Sequence, residues 1–255
     1  MSLKTFNLTY TENETDILKN SLFEKTGVII VAAGTSSRMG EKDKILLPLE
    51  GIPVIVRTLM AFEEISAVSN IVIVTRNDMV ISIENLVSDY NISKVSDIVL
   101  GGESRAESAK NGFDAILKIG DIKNVLIHDG ARPLVSRKVI EGVISATEEF
   151  GAAIPAVPVK DTVKAIGALG KVAETPDRSK LRLVQTPQGF KTEIYKKALE
   201  FAGEDISAFT DDSALVENSN IQVYTTLGDY KNIKITTPED LCLAKAILEF
   251  ERGKF

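Results

Sequence analysis

Cysteine and histidine are almost missing from this chain of 255 residues, which contains one of each, Cys242 and His128. A single cysteine cannot form an internal disulfide, and one cysteine and one histidine cannot build the usual clusters of these ligands around a metal. Cys242 lies in the apolar stretch Leu-Cys-Leu-Ala-Lys-Ala-Ile-Leu. That stretch predicts a buried and unreactive thiol on a helix.

Positive charge is not in excess, because the formal net charge is −6 at pH 7. This balance argues against nucleic acid as a partner, although it is compatible with a local cationic pocket. No apolar run approaches the length of a membrane span. The N-terminal residues lack an apolar signal core, and their acidic residues argue against a transit peptide. We therefore expect a cytoplasmic protein that neither enters a membrane nor binds nucleic acid.

The organisation of the chain is that of one large α/β domain with a small appendage. Residues 1–26 are polar and of mixed charge and are expected to form an N-terminal appendage, and residues 27–255 are expected to form the domain. Apolar strands alternate with amphipathic helices, which predicts a parallel sheet with helices on both faces. Residues 159–183 are rich in charge and predict a β-hairpin arm that leaves the sheet, a feature often used in oligomerisation. Residues 232–236 predict a short strand.

A loop of small residues follows the predicted strand at 28–31. Residues 32–34 are Ala-Ala-Gly, so backbone N–H groups can approach an anion closely. Arg38 and Lys44 bring positive charge to the same loop. No Gly-Lys-Ser/Thr follows, and two serines stand where a dinucleotide fingerprint needs glycines. The loop therefore predicts a nucleoside triphosphate site that is neither a Walker loop nor a dinucleotide fold.

Polar groups also follow two further predicted strands, at residues 101–108 and 128–133. Because ligands of parallel sheets bind at the carboxyl ends of the strands, we expect the three segments to converge. Asp129, leaving a buried strand, suits Mg²⁺ with a triphosphate completing the coordination shell. The alternative for Asp129 is an ordinary loop or helix-capping acid.

Other ionisable residues leave more than one interpretation open. His128 is either a catalytic base or, as we favour, a residue that orients its loop through hydrogen bonds. Lys234 lies among apolar residues, where an unpaired ammonium is costly, so it needs a bound anion or a structural partner such as Asp240. Thr210 predicts the N-cap of a helix whose first turn contains two aspartates, 211 and 212.

Several motifs together resemble one family. They are, in chain order, Ala-Ala-Gly-x-x-x-Arg-Met, Gly-Gly-x-x-Arg-x-x-Ser, His-Asp-Gly-Ala-Arg-Pro, Val-Pro-Val-Lys-Asp-Thr, Gln-Thr-Pro-Gln, Thr-Asp-Asp and Asn-Ile-Lys-Ile-Thr-x-Pro-Glu-Asp. This set is similar to the 2-C-methyl-D-erythritol 4-phosphate cytidylyltransferase family over roughly residues 27–250. The first motif alone marks only the wider sugar-nucleotidyltransferase superfamily.

The resemblance implies a Rossmann-like nucleotidyltransferase sheet whose arm, at about 159–183, exchanges contacts in a homodimer. It implies an enzyme of non-mevalonate isoprenoid synthesis that joins CTP and methylerythritol phosphate, with Mg²⁺ as cofactor and pyrophosphate as the second product. The substrate phosphate would attack the α-phosphorus in line, with no covalent enzyme intermediate.

The resemblance also assigns site residues by motif matching. The implied catalytic residues are Arg38, Lys44 and Lys234. The implied nucleotide-binding residues are Ala32, Ala33, Gly34, Gly102, Glu103 and Ser108. The implied substrate-binding residues are Asp129, Arg132, Thr162, Arg178, Thr186, Thr210 and Lys234. Asp129 would also hold the metal, and Thr162 and Arg178 would reach over from the partner's arm.

The chain departs from the family pattern at three places. Ser36 stands where the family usually has glycine, and Glu103 stands where it often has a shorter acid. One residue fewer separates Arg38 from Lys44, and Asp43 precedes Lys44 where the family often has proline or asparagine.

Three alternatives stand beside this interpretation. The first is a ribitol 5-phosphate cytidylyltransferase, a group that has Ser-Val-Arg-Pro where this chain has Gly130-Ala-Arg-Pro. Gly130, Ala131 and residues 160–162 favour methylerythritol phosphate. A nucleotide-binding regulatory protein without catalysis would need fewer cations around the leaving group. An NAD-dependent dehydrogenase is disfavoured by the missing glycine fingerprint.

Overall fold

The computed structural model describes residues 25–34 and 43–253. The strands are β1 Thr26–Val31, β2 Pro48–Leu49, β3 Ile52–Pro53, β4 Val68–Thr75, β5 Val95–Leu100, β6 Asn124–Asp129, β7 Ala152–Pro158, β8 Ala165–Ile166, β9 Val172–Glu174, β10 Arg182–Val184, β11 Gln188–Lys191 and β12 Tyr224–Leu227. The α-helices are α1 Val54–Glu63, α2 Val80–Asp89, α3 Arg105–Ile119, α4 Arg137–Phe150, α5 Thr192–Ala202, α6 Asp212–Asn218 and α7 Pro238–Glu251. Of the predicted appendage, only residues 25 and 26 lie within the described ranges.

The main sheet has eight strands in the order β10-β7-β11-β6-β1-β4-β5, with β12 paired to β7. The predicted parallel arrangement is confirmed for β5, β4, β1 and β6, which are paired in parallel. The sheet is mixed, because β11 and β10, beyond the alternating part of the chain, run antiparallel to their neighbours. The cause is the arm: the chain leaves the sheet after β7 and returns beside it, and a strand that turns straight back must run antiparallel.

Helices cover both faces of this sheet, as the sequence predicts. Alternate residues of the central strands point to opposite faces, because side chains alternate along a strand. Val28 and Ile30 of β1 lie in the core beneath α1, α2 and α4. Ile29 lies in the core beneath α3, α5 and α6. Because both faces of the sheet are covered, the residues that point to either face are apolar, which explains the continuous run Val-Ile-Ile-Val.

The ends of α4 agree with the local sequence signals. The Ser136 side chain accepts a hydrogen bond from the backbone N–H of Val139 and caps the first turn. Gly151 ends the helix with φ of 89°, a left-handed conformation that glycine adopts without steric cost.

Three local predictions are wrong. The N-cap of α6 is Asp211, whose carboxylate accepts from the Ala214 N–H at 2.9 Å, and Thr210 precedes it. Residues 232–236 form no strand. Their backbone contact with the segment after β6 is a single hydrogen bond in the described structure, from the Ile235 N–H to the Ala131 carbonyl oxygen. Cys242 is exposed, because α7 turns that side of its apolar stretch towards solvent.

The predicted hairpin arm is present between β7 and β10. Its tip is the two-stranded sheet of β8 and β9, in which Ala165 pairs with Glu174. Apolar side chains on this hairpin point to solvent, and Leu169 at its turn is 96% exposed. The hairpin therefore leaves apolar surface exposed.

Candidate active site

The carboxyl ends of four parallel strands meet at one edge of the sheet. Val31 at the end of β1 pairs with Val74 of β4 and with Asp129 of β6, and Thr75 pairs with Leu100 of β5. The predicted convergence of the three polar segments is therefore confirmed. A cavity of about 610 Å³ opens at this edge. Its walls include Ala32, Ala33, Gly34, Lys44, Gly101, Gly102, Glu103, Ser108, Asp129, Ala131 and Lys234.

Glycine at 101 is required by this convergence of the strand ends. A Cβ atom there would come within 2.4 Å of the Ala33 Cβ atom and 2.8 Å of the Ser108 hydroxyl. The loops after β1 and β5 can therefore approach each other only because residues 33 and 101 are small. That approach produces the wall of small residues on one side of the cavity.

Asp129 lies at the centre of the charged side of the cavity, with its side chain 9% exposed. One carboxylate oxygen is 2.9 Å from Lys234 Nζ and 3.4 Å from Arg132 Nε. The other is 3.5 Å from Arg105 Nε. Burial alone would raise the pKa of Asp129, but Lys234, Arg105 and Arg132 lower it below its usual range. Asp129 is therefore ionised at neutral pH.

Arg105 is the site residue that sequence reasoning missed. It begins α3 and pairs with Asp129 and with Asp212, whose carboxylate is 2.6 Å from Arg105 Nη1 and 1% exposed. The Tyr195 hydroxyl donates to the other oxygen of Asp212 at 2.8 Å. Burial would lower the pKa of Arg105, but these two acids outweigh it and raise the pKa. The sequence signal was the Arg of Gly-Gly-x-x-Arg-x-x-Ser, whose partner lies far along the chain.

The cluster as a whole carries a net positive charge. Its three cations, Arg105, Arg132 and Lys234, face two carboxylates, Asp129 and Asp212, which leaves one positive charge in excess. The expected partner of Lys234 is therefore found, but it is Asp129 and not Asp240, which instead caps α7. A positive cluster beside an open cavity is suited to an anionic ligand.

His128 is fully buried, and burial lowers its pKa to about 3. The imidazole is neutral, so each ring nitrogen has one role. Nε2 lies 3.2 Å from the carbonyl oxygen of Arg132, which only accepts, so Nε2 carries the hydrogen. Nδ1 then accepts from the Thr186 hydroxyl at 2.9 Å, and that hydroxyl accepts from the Asp129 N–H at 3.2 Å. This network orients the Asp129 loop, which is the role favoured from the sequence.

The segment after β5 is organised by internal hydrogen bonds. The Gly102 N–H donates to the Ser108 hydroxyl at 3.1 Å, and the Glu103 N–H donates to Glu107 at 2.7 Å. Ser104 and Glu107 form a capping box at the start of α3. These hydrogen bonds fix the conformation of the segment where it lines the cavity.

Lys44 lines the same cavity as Asp129 and Lys234. The residue before it, Asp43, lies 2.7 Å from Arg76 Nη2, and Arg76 Nη1 donates to the Gly34 carbonyl oxygen at 3.2 Å. Arg38 and Ser36 lie outside the described residues, so the role of Arg38 stays a prediction.

Arg132, which contacts Asp129, and four further predicted substrate residues lie outside the cavity wall. Thr186 is buried, and its hydroxyl is engaged by His128 and the Asp129 amide. Thr210 is exposed at the start of α6, and Thr162 and Arg178 are exposed on the arm. None of the four lines the cavity within this chain, so their contacts with a substrate stay predictions.

Asp129 was also predicted to hold a metal ion. In the part of the chain that the structure describes, no group of three or more His, Cys, Asp or Glu side chains could hold a metal ion. Mg²⁺ binds through one or two carboxylates while substrate phosphates and water supply the other oxygens, and Asp129 would share its carboxylate between the metal and the cations that pair with it. The donor set therefore fits a metal that arrives with a phosphorylated ligand.

The fold and the site define an α/β nucleotidyltransferase, with a small-residue loop, an acid and several cations at one sheet edge. A family model described as IspD, 2-C-methyl-D-erythritol 4-phosphate cytidylyltransferase, matches residues 26–250. The chain belongs to this family.

Individual relatives agree with that membership. A Dehalococcoides mccartyi protein named 2-C-methyl-D-erythritol 4-phosphate cytidylyltransferase is 45% identical over 228 residues, which cover 89% of this chain and 98% of that protein. A Bacillus cereus protein of the same name is 43% identical over 226 residues, with 88% and 98% coverage. The structure of 4-diphosphocytidyl-2C-methyl-D-erythritol synthase from Anaerococcus prevotii superposes with a TM-score of 0.78 at 31% identity, covering 89% of this chain and 99% of that chain.

No helix within residues 25–34 and 43–253 combines the length and the apolar character that crossing a membrane requires.

Proposed function

We propose that this enzyme transfers the cytidylyl group of CTP to 2-C-methyl-D-erythritol 4-phosphate and releases pyrophosphate. Family membership supports this reaction, and one structural observation carries it. The small-residue loops that suit a nucleotide border the same cavity as Asp129 and Lys234, which suit a phosphate, and Arg132 contacts Asp129 at 3.4 Å. A nucleotide and a phosphosugar can therefore be held side by side, as a transfer between them requires.

The nucleotide half of the site is assigned to the ends of β1 and β5. Ala32, Ala33 and Gly34 leave room for the phosphates and the ribose beside the backbone. The cytosine amino group is a hydrogen-bond donor, whereas uracil has an acceptor at that position. Carbonyl oxygens of the segment 101–103, which lines the cavity, are the proposed acceptors for this amino group.

The phosphosugar half is assigned to the end of β6 and to Lys234. Arg132 and Lys234 offer cationic donors to the phosphate of methylerythritol phosphate, and Asp129 holds both in place. A phosphate oxygen attacks the α-phosphorus of CTP, and the bond from that phosphorus to the β-phosphate oxygen breaks. Lys44 and Arg38 would stabilise the charge that develops on the α-phosphoryl group and on the leaving pyrophosphate.

Asp129 is also the proposed ligand of Mg²⁺. The metal would neutralise phosphate charge and align the triphosphate. The residues of the chain do the remaining work: they position both substrates and supply fixed positive charge, with no covalent step on the protein. A cytoplasmic location belongs to the same proposal, because CTP is drawn from the intracellular nucleotide pool.

Gly130 favours methylerythritol phosphate over ribitol 5-phosphate as the acceptor. A Cβ atom at 130 would lie 2.9 Å from Ile55 Cδ1 and 3.2 Å from Ala32 Cβ. A serine at this position, as in the ribitol group, would therefore require the Ile55 side chain to move and would tighten the contact between the loop after β6 and Ala32.

A substrate panel tests the reaction. With CTP and Mg²⁺, we expect pyrophosphate release to be fast with methylerythritol phosphate and at least about tenfold slower with ribitol 5-phosphate, the scale of one or two lost hydrogen bonds. Replacing CTP by UTP should also slow the reaction. Faster turnover of ribitol 5-phosphate would show that the acceptor is assigned wrongly.

We also propose that the arm completes the site of a second copy in a homodimer. Arg178 is exposed and donates to the Lys160 carbonyl oxygen at 2.9 Å, outside the cavity of its own chain. The apolar hairpin of β8 and β9 needs a covering surface. A partner chain would provide that surface and would receive Thr162 and Arg178.

Arg178→Ala should raise the KM for methylerythritol phosphate by about tenfold or more, because a charged hydrogen bond to the phosphate is lost. The KM for CTP should stay unchanged. Arg182→Ala is the matched control, since Arg182 also lies at the arm and bonds only to nearby arm carbonyls in the described structure.

Mixed dimers decide whether Arg178 acts across the interface. Hybrids of an Arg178→Ala chain and a Lys44→Ala chain should regain one intact site, because the exchange of arms brings both defects into the same site and leaves the other site complete. Inactive hybrids, or a monomer in sedimentation, would contradict the exchange of arms.

A further inference from the structure

The chain is held in place on both sides of Lys44, and on the downstream side it packs into the hydrophobic core. Ile45 is 3% exposed, and its carbonyl oxygen accepts from the Ile55 N–H at 2.9 Å at the start of α1. The Leu47 carbonyl oxygen accepts from the Val54 N–H at 3.0 Å. This side of Lys44 is therefore fixed by apolar burial and by backbone pairing.

On the upstream side, an ion pair links Asp43 to Arg76. Arg76, just beyond the end of β4, places Nη2 at 2.7 Å from Asp43 Oδ2 and donates from Nη1 to the Gly34 carbonyl oxygen at 3.2 Å. Its other contacts are with the carboxylate of Asp78, at 3.1 Å. A single guanidinium thus joins the two chain segments on either side of residues 35–42.

The position of Asp43 matches the departure from the family spacing. The family often has proline or asparagine before the loop lysine, with one more residue between it and the loop arginine. Proline stiffens the backbone by itself, but an aspartate does not. Here the Asp43 carboxylate is 12% exposed and is held by Arg76, so a side-chain contact can replace the missing backbone restraint.

We propose that Arg76 is a positioning residue that ties Gly34 to Asp43 and thereby sets Lys44 against the triphosphate. Arg76 suits this task because its planar fork presents several donors in a fixed geometry, which a lysine cannot do. The proposal rests on the proposed function of Lys44, and it adds the Arg76 contacts that position Lys44 despite the shorter spacing from Arg38.

Substitution of Arg76 or Asp43 should reproduce part of the decrease in kcat that is expected for Lys44→Ala. Arg76→Ala and Asp43→Ala should each lower kcat by about 10- to 100-fold, since a displacement of about 1 Å in a catalytic group has effects of that size. The KM for CTP should change little. The double variant should lose no more than the worse single variant, because both changes break one link. Arg76→Lys should recover part of the rate.

Arg137→Ala is the matched control. Arg137 also bridges two segments, with Nη1 at 3.0 Å from Glu141 and Nη2 at 2.7 Å from the Glu64 carbonyl oxygen, but it lies outside the cavity wall. Its loss should leave kcat within about twofold, as for a surface ion pair.

A binding measurement separates this proposal from the proposed reaction. In calorimetry with inorganic pyrophosphate, Arg76→Ala should raise Kd by about tenfold, the effect of one weakened charged contact, and Kd for CMP should stay unchanged. An unsubstituted enzyme without turnover would refute the reaction, whereas the pyrophosphate titration would still decide the role of Arg76. Unchanged pyrophosphate affinity, or fully additive losses in the double variant, would overturn the proposal.

Discussion

Asp129→Asn should lower kcat/KM by about 10³-fold or more. The amide keeps the size of the side chain but removes the charge that holds Lys234, Arg132 and Arg105 around it. It also removes the carboxylate that is proposed to take Mg²⁺. Losing a preorganised charge contact in an enclosed site costs about 10²- to 10³-fold, and the metal contact adds to this. Steady-state kinetics at several Mg²⁺ concentrations measure the effect.

Asp212→Asn is the control for Asp129→Asn. Asp212 is also a buried acid paired with Arg105, but it faces Tyr195 and is absent from the cavity wall. Both variants should lower the Tm, because removing one partner of a buried ion pair costs about 3–5 kcal/mol. Only Asp129→Asn should change the dependence of the rate on Mg²⁺. EDTA should abolish turnover of the unsubstituted enzyme, and activity that persists in EDTA would refute the metal assignment.

Lys44→Ala should lower kcat by about 10²- to 10³-fold with little change in the KM for CTP. A contact that strengthens as charge develops on the leaving pyrophosphate is lost from the transition state more than from the ground state. Loss of kcat without a change in KM is the kinetic signature of such a contact. Single-turnover measurements with saturating CTP isolate the chemical step.

Lys110→Ala provides the comparison for Lys44→Ala. Lys110 pairs with Asp114 at 2.7 Å on the surface of α3, away from the cavity wall. Its removal should leave kcat unchanged. A Lys44→Ala enzyme with near-normal kcat would show that the shortened loop transfers the role to another cation.

Local signals in the sequence predict much of the fold. The apolar run of β1, the Ser136 cap and Gly151 are short-range features, and each has the predicted conformation. Two of the wrong predictions share a different origin. The exposure of Cys242 and the coil at 232–236 depend on what packs against each segment, and a local pattern does not contain that information.

The candidate site divides in the same way. The sequence places Asp129 and the loop at 32–34 at the ends of apolar strands, and it places Lys234 in the motif Asn-Ile-Lys-Ile-Thr. A single sequence is therefore enough to select these residues. The partners of Asp129 were not predictable in full. Arg105 looked like an ordinary first-turn residue until the fold brought it to Asp129 and Asp212.

The sequence by itself determined the alternation of strands and helices, the small-residue loops at the strand ends and the absence of a Walker loop. Those properties depend on side-chain size, apolar periodicity and turn chemistry within a few residues. Only the tertiary structure shows that Lys234 pairs with Asp129 and that Arg76 joins Gly34 to Asp43. It also shows which groups hydrogen-bond to the neutral imidazole of His128. These are contacts between segments far apart in the chain, and their strength depends on distance and burial, which arise only when the sheet assembles.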